Sequence, residues 1–172
     1  CIRDRLDKAR LNNPSLLYVP AGAENVLRIT EYLQGVDWKP VILGTDGLLA
    51  KVLSDYSEKL SLVDGMLATD LFYDDMDLTR YGEKLENVIA SEKIIVNTNS
   101  TIAMEAYGVL VNAMNRCDPP VTRECINKKL RSTKNFEGVM GFISIDSTGK
   151  AHRPLIINSI EAGKLNFIVK VY

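Results

Sequence analysis

The stretch SLLYVPAGAENVLRITEYLQGVDWKPVILGTDG, residues 15–47, decides the fold class. Ser15-Leu16-Leu17-Tyr18-Val19 is a short unbroken apolar run of the kind buried on both faces of a parallel sheet. Pro20-Ala21-Gly22 turns it into a helix running from about Ala23 to Gln34. Val26, Leu27 and Leu33 form its inward stripe, Glu24 and Arg28 pair at i,i+4, and Gly35 closes it. Pro40-Val41-Ile42-Leu43 repeats the buried-strand pattern. Gly44-Thr45-Asp46-Gly47 then turns the chain into a second helix, Leu48 to about Tyr56, with Leu49, Val52 and Leu53 inward. Apolar strands alternating with amphipathic helices predict an α/β fold with a doubly wound, Rossmann-like parallel sheet.

Upstream, residues 3–12 predict a helix, which Asn12-Asn13-Pro14 ends because the residue before proline is pushed out of the helical region. Downstream, a third strand is expected over Val63–Thr69, followed by an acidic crossing segment, Asp70 to Asp77. Three successive helices come next, at about 78–90, 99–116 and 121–132. The second is apolar nearly all round through Ile102, Met104, Tyr107, Leu110, Val111 and Met114, a pattern that predicts burial. Strands at about 139–145, 153–160 and 165–171 finish the chain, joined by the turn sequences Asp146–Lys150 and Glu161–Lys164. Three helices with no sheet of their own imply the later part of a two-lobed α/β protein. A single compact domain, its terminal strands supplying the missing sheet, is the other reading.

With 172 residues, 46% hydrophobic and 25% charged, the chain has the composition of an ordinary globular protein. Lys and Arg number 21 against 22 Asp and Glu, so no overall field attracts nucleic acid. Apolar runs such as Ile94-Ile95-Val96 fall far short of the roughly 18 residues that a membrane-spanning helix needs. Cys117 and Cys125 flank Asp118-Pro119-Pro120 and are either a disulfide or two unrelated thiols. No further Cys or His sits at ligand spacing for a metal site. Asp70, Asp74, Asp75 and Asp77 lack the spacing and glycine of a calcium loop and read as a solvated linker with a helix cap. The single histidine, His152, has no nucleophile at motif spacing, and no glycine-rich phosphate loop is present. Neither an enzyme nor a cofactor is expected.

Asn135-Phe-Glu-Gly-Val-Met-Gly-Phe-Ile-Ser-Ile-Asp-Ser-Thr-Gly149, followed by Arg153-Pro154 and Ile160-Glu-Ala-Gly163, resembles the carboxy-terminal signature of the type I periplasmic binding proteins. The likeness is to the branched-chain amino-acid (Leu/Ile/Val) receptor family of ABC transporters. Leu16–Pro20 and Val41–Gly47 are similar to the middle of that family, and Ala106-Tyr107 sits where its helix carries Tyr-Asp-Ala. The resemblance implies a two-lobed fold, incomplete in this chain. It assigns 1–72 and 154–172 to the second lobe and 76–148 to the carboxy-terminal part of the first, with hinges near 71–77 and 146–153.

The implied function is capture of a small amino-acid-like solute between two lobes for uptake by a membrane permease. The implied partners are that solute, the permease and the missing amino-terminal half of the same protein. A sensory domain of the same fold and a fragment of a doubly wound enzyme are the competing readings. The implied location is periplasmic or extracellular, compatible with a lipid anchor. Cys1 resembles a lipid-modified terminus only superficially and is read as the edge of a longer chain.

Asp46, beside Thr45, follows a buried strand at the carboxyl end of the expected sheet, where ligands sit in such folds. The family places there an acidic residue that pairs with the ligand's α-amino group, a role the resemblance carries to Asp46. The competing reading of Asp46 is a helix cap. Pro20, Ala21 and Gly22 are expected to face the same cleft. The family commonly has an aromatic residue in that turn, so Ala-Gly here implies a roomier site or another covering group; a plain strand-to-helix connection is the competing reading. Phe72 and Tyr73 flank the expected hinge and border the cleft in this reading, or simply pack.

Overall fold

The computed structural model describes residues 2–73, 77–92 and 97–172. In chain order the elements are α1 (Ile2–Arg10), β1 (Leu16–Tyr18), α2 (Ala23–Gly35), β2 (Val41–Gly44), α3 (Leu48–Asp55), a 3₁₀ helix (Ser57–Leu62) and β3 (Leu67–Asp70). There follow α4 (Arg80–Glu92), α5 (Thr98–Asn115), α6 (Arg123–Arg131), β4 (Phe136–Glu137), β5 (Phe142–Ile145), β6 (Ala151–His152), β7 (Leu155–Glu161) and β8 (Lys164–Val171). They divide into two compact units: the chain to Asp70 with Ile156–Val169, and Leu71–Leu155 with Lys170–Tyr172.

The first unit is built on a five-stranded sheet of order β1-β2-β3-β7-β8. β1, β2 and β3 are parallel, and β7 runs antiparallel to β3. The α2 stripe buries Val26, Leu27 and Leu33 against Leu49 and Val52 of α3 and Ile160 of β7, all 3% exposed or less. Gly44 makes the close approach of β2 to α3 possible: a Cβ there would overlap Leu48 Cδ2 and come within 2.8 Å of Met66 Cε. β7 and β8 are joined by Ala162 and Gly163, both at positive φ (51° and 75°), the backbone of a two-residue hairpin that twists with its strands.

Several expectations need correction here. β1 is not buried on both faces: Leu16 is 47% and Tyr18 60% exposed. It is an edge strand with β2 as its one neighbour, and the face it shares with Val41 is uncovered among the described residues. Gly35 lies inside α2, and the left-handed residue after the helix is Asp37, at φ 49°. The third strand starts at Leu67, because the chain before it turns at Gly65, whose N–H donates to Ile160 O at 2.7 Å.

The second unit packs α4, α5 and α6 with the antiparallel sheet β4-β5-β6. A reciprocal capping box starts α5: Asn97 Oδ1 accepts from Ser100 N, and Ser100 Oγ accepts from Asn97 N, each at 2.9 Å. A disulfide joins Cys117, after α5, to Cys125 in α6, with Cα atoms 6.0 Å apart.

Helix α5 is not buried all round. Its covered stripe is Thr101, Glu105, Val109 and Ala113, spaced by four, while Tyr107 (70% exposed), Leu110 and Met114 stand on an open face. The terminal strands also part company. β5 pairs with β4 and β6, whereas β7 and β8 extend the sheet of the first unit, so they do not form the one added sheet of a single-domain chain.

Candidate functional site

Parallel strands present their carboxyl ends at one edge of a sheet, so the turns after β1 and β2 emerge together. After β1, Val19 N donates to Leu43 O at 2.8 Å, prolonging the ladder, and Ala21 N donates back to Val19 O at 2.9 Å in a tight three-residue turn. Pro20 and Gly22 are exposed and Ala21 half-buried. Gly22 caps α2 through its carbonyl, and a Cβ added to it would meet nothing within 4 Å. The turn is therefore as open as its small residues suggest.

After β2, Thr45 is half-buried and Asp46 exposed. The helix cap is Gly47, in the left-handed region at φ 69°, with no side-chain capping bond. Asp46 is thus not the cap. The support comes from a residue that the sequence reading placed in a solvated linker: Asp70, 5% exposed at the end of β3, accepts a hydrogen bond from Gly47 N at 3.2 Å through Oδ2. The Asp46 carboxylate has no hydrogen-bond or ion-pair partner among the described residues. Of the other acidic residues in that segment, Asp77 is exposed, and Asp74 and Asp75 lie outside the described residues, as do Cys1 and the run Ile94-Ile95-Val96.

Phe72 and Tyr73 belong to the second unit. Phe72, 9% exposed, lines a cavity of about 280 Å³ with Leu85, Ile89 and Met104, so its side chain packs within that unit. Tyr73 is half-buried. Nearby lies a buried polar group absent from the sequence expectations. Glu105 Oε2 is 2.5 Å from Arg153 Nη1, Glu105 Oε1 accepts from Val139 N at 2.6 Å, and Arg153 Nη2 donates to Leu71 O at 3.3 Å. One carboxylate at four-residue spacing from Thr101 and Val109 was the available signal for its burial.

His152 is exposed in β6, its Nε2 3.0 Å from Asp146 Oδ2. The Thr148 hydroxyl first, then His152 and the backbone N–H groups of Lys150 and Thr148, hold the Asp146 carboxyl far below the usual carboxylate range. No group of three or more His, Cys, Asp or Glu that could hold a metal ion occurs among the described residues.

No protein-family model and no curated protein matches this chain. Solved structures do. The leucine-binding protein LivK of Thermotoga maritima superimposes with a TM-score of 0.77 over 99% of this chain and 48% of its own, at 23% identity. The fold is that of a type I periplasmic binding protein. A branched-chain amino-acid ABC-transporter protein of Rhodospirillum rubrum matches with a TM-score of 0.72 at 19% identity, over 96% of this chain and 48% of its own. The substrate-binding protein LivJ of Streptococcus pneumoniae, solved with isoleucine, gives 0.67 at 20% identity, over 91% and 45%. The chain spans about half the length of these periplasmic-binding-protein structures.

Proposed function

We propose that this chain is the carboxy-terminal portion of a solute-binding receptor, which captures a small ligand bearing an ammonium group, an amino acid or related compound, between two lobes. It delivers that ligand to the membrane permease of an ABC transporter and works in the periplasm or outside the cell, free or lipid-anchored. No bond in the ligand is made or broken.

The observation that carries the reading is Asp46: an exposed carboxylate with no hydrogen-bond or ion-pair partner among the described residues, at the carboxyl edge of parallel strands, on a turn whose capping is done by Gly47 and Asp70 instead. Its charge is left for a cationic partner. Thr45 beside it and the open Pro20-Ala21-Gly22 turn complete the ligand-facing set. In this reading residues 1–72 and 154–172 belong to one lobe and 76–148 to the other, with hinges near 71–77 and 146–153. Leu16 and Tyr18 on the sheet, and Tyr107, Leu110 and Met114 on α5, are open apolar surface that fits an amino-terminal half of the same protein.

Calorimetric titration of the protein joined to its amino-terminal half, against the common amino acids and their decarboxylated amines, tests the reading. Saturable one-to-one binding of at least one member is expected. Absence of saturable heat across the whole panel overturns it.

A further inference from the structure

A second cleft, of about 510 Å³, lies wholly within the second unit, between the start of α4, the end of α5 and the segment leading into β4. Arg80, Lys84, Arg116 and Lys134 line it, opposed by Glu137 alone. That acid is already engaged, because Glu137 Oε1 accepts a hydrogen bond from Arg80 N at 3.1 Å where α4 begins. None of the four cations enters an ion pair among the described residues. The whole chain carries a formal charge of -1, so this concentration of positive charge is local.

Two features make the cleft more than a charged surface. Arg116 is held in place: Nη2 donates to Lys129 O at 2.7 Å and to Thr133 Oγ1 at 3.1 Å, and Thr133 is 1% exposed. A guanidinium fixed through one nitrogen keeps its remaining donors preorganised for a planar oxyanion, the geometry in which arginine binds carboxylate and phosphate. The cleft also has an apolar wall, Tyr81 and Phe136 edge to face at 5.5 Å, with the Tyr81 hydroxyl already donating to Met104 O. Charge on the rim beside an aromatic wall suits an organic anion better than a lone chloride.

We propose that this cleft binds a small multivalent organic anion, phosphorylated or polycarboxylic, at a site independent of the Asp46 turn. The intact protein, titrated calorimetrically with inorganic pyrophosphate and separately with citrate, tests the proposal. Saturable one-to-one binding is expected for at least one probe, weakening as salt is raised from about 0.02 M to about 0.5 M. The tighter of the two probes identifies the acidic group.

Arg116→Gln and Arg80→Gln are each expected to weaken binding about tenfold or more, the loss of one charge-assisted contact. Lys39→Gln, an exposed lysine of the first unit, is expected to leave it unchanged. Should Arg116→Gln disturb folding through Thr133, Arg80→Gln and Lys84→Gln decide the matter. No saturable heat with either probe, or an equal loss in Lys39→Gln, overturns the proposal.

Discussion

Arg153 Nη1 and Glu105 Oε2 form a buried ion pair, 2.5 Å apart, with side chains 14% and 3% exposed. Both partners are tied further. Glu105 receives the Val139 amide from the turn before β5, and Arg153 reaches the Leu71 carbonyl where the chain leaves β3. Four separate pieces of the second unit therefore meet on one pair of charges: α5, the turn at Val139, and the two segments that connect with β3 and β7.

Removing one member strands the other. Arg153→Met is expected to lower stability by about 3–5 kcal/mol, since it leaves the Glu105 carboxylate buried without its counter-ion. The double variant Glu105→Met, Arg153→Met should recover much of that loss, because neither charge then has to be desolvated. Urea unfolding of the single and double variants measures both. A single variant as stable as the parent would mean that the pair is open to water.

Asp46→Asn, in the protein carrying both halves, is expected to weaken an amine-bearing ligand about 100-fold or more, the cost of leaving a buried ammonium without its charged partner. It should not shift the melting temperature, because Gly47 is the cap. Asp70→Ala reverses the pattern: it removes the acceptor for Gly47 N and should cost about 1–2 kcal/mol of stability. Calorimetric titration and thermal melts on the two variants separate binding from capping. Unchanged affinity in Asp46→Asn would remove the ligand role.

The Cys117–Cys125 bridge closes a short loop between α5 and α6. Unreduced, denatured protein is expected to give one reactive thiol, Cys1, and reduction should lower stability by about 2–3 kcal/mol. Three thiols before reduction would refute the pairing and weaken the assignment to an oxidising compartment.

Asp146 makes stability depend on acidity in a definite direction. Its folded carboxyl is held below the unfolded value of about 3.9, mainly by the Thr148 hydroxyl and His152. The stabilisation is fully present above about pH 4 and is lost as pH falls below it toward the folded value. Asp146→Asn should lower stability at neutral pH and flatten this part of the acid limb in melts between about pH 2 and pH 5. An identical acid limb in the variant would contradict the assignment.

Ala162 holds φ at 51°, a left-handed conformation that costs an alanine roughly 1 kcal/mol. Ala162→Asn converts the turn to Asn-Gly, the preferred pair for two residues at positive φ, and should raise stability by about 0.5–1 kcal/mol. A thermal melt reads the change directly, and a lowered melting point would show that the Ala162 methyl packs favourably.

The order of the longer helices and strands was legible in the sequence because it rests on local periodicity, whereas the 3₁₀ helix and the two-residue strands β4 and β6 were not expected. Val26, Leu27 and Leu33 recur at helical spacing and are buried together, and the strand Val41–Gly44 overlaps the expected one, Pro40–Leu43. Turn chemistry was equally local, as Glu161-Ala162-Gly163-Lys164 illustrates. What local pattern could not determine was which apolar face is covered, since that depends on neighbours distant in sequence. Tyr107 and Val109 look alike in the chain, yet one is 70% exposed and the other 7%, because the covered side of α5 is set by what packs on Glu105 and Ala113. The roles of the acidic residues were decided the same way. Asp46 follows β2 and Asp70 ends β3, but strand pairing in the folded sheet brings Asp70 Oδ2 to the Gly47 amide and leaves Asp46 without a partner among the described residues. Glu105 and Arg153, 48 residues apart, became a pair only when the fold enclosed them, where desolvation makes either charge costly without the other.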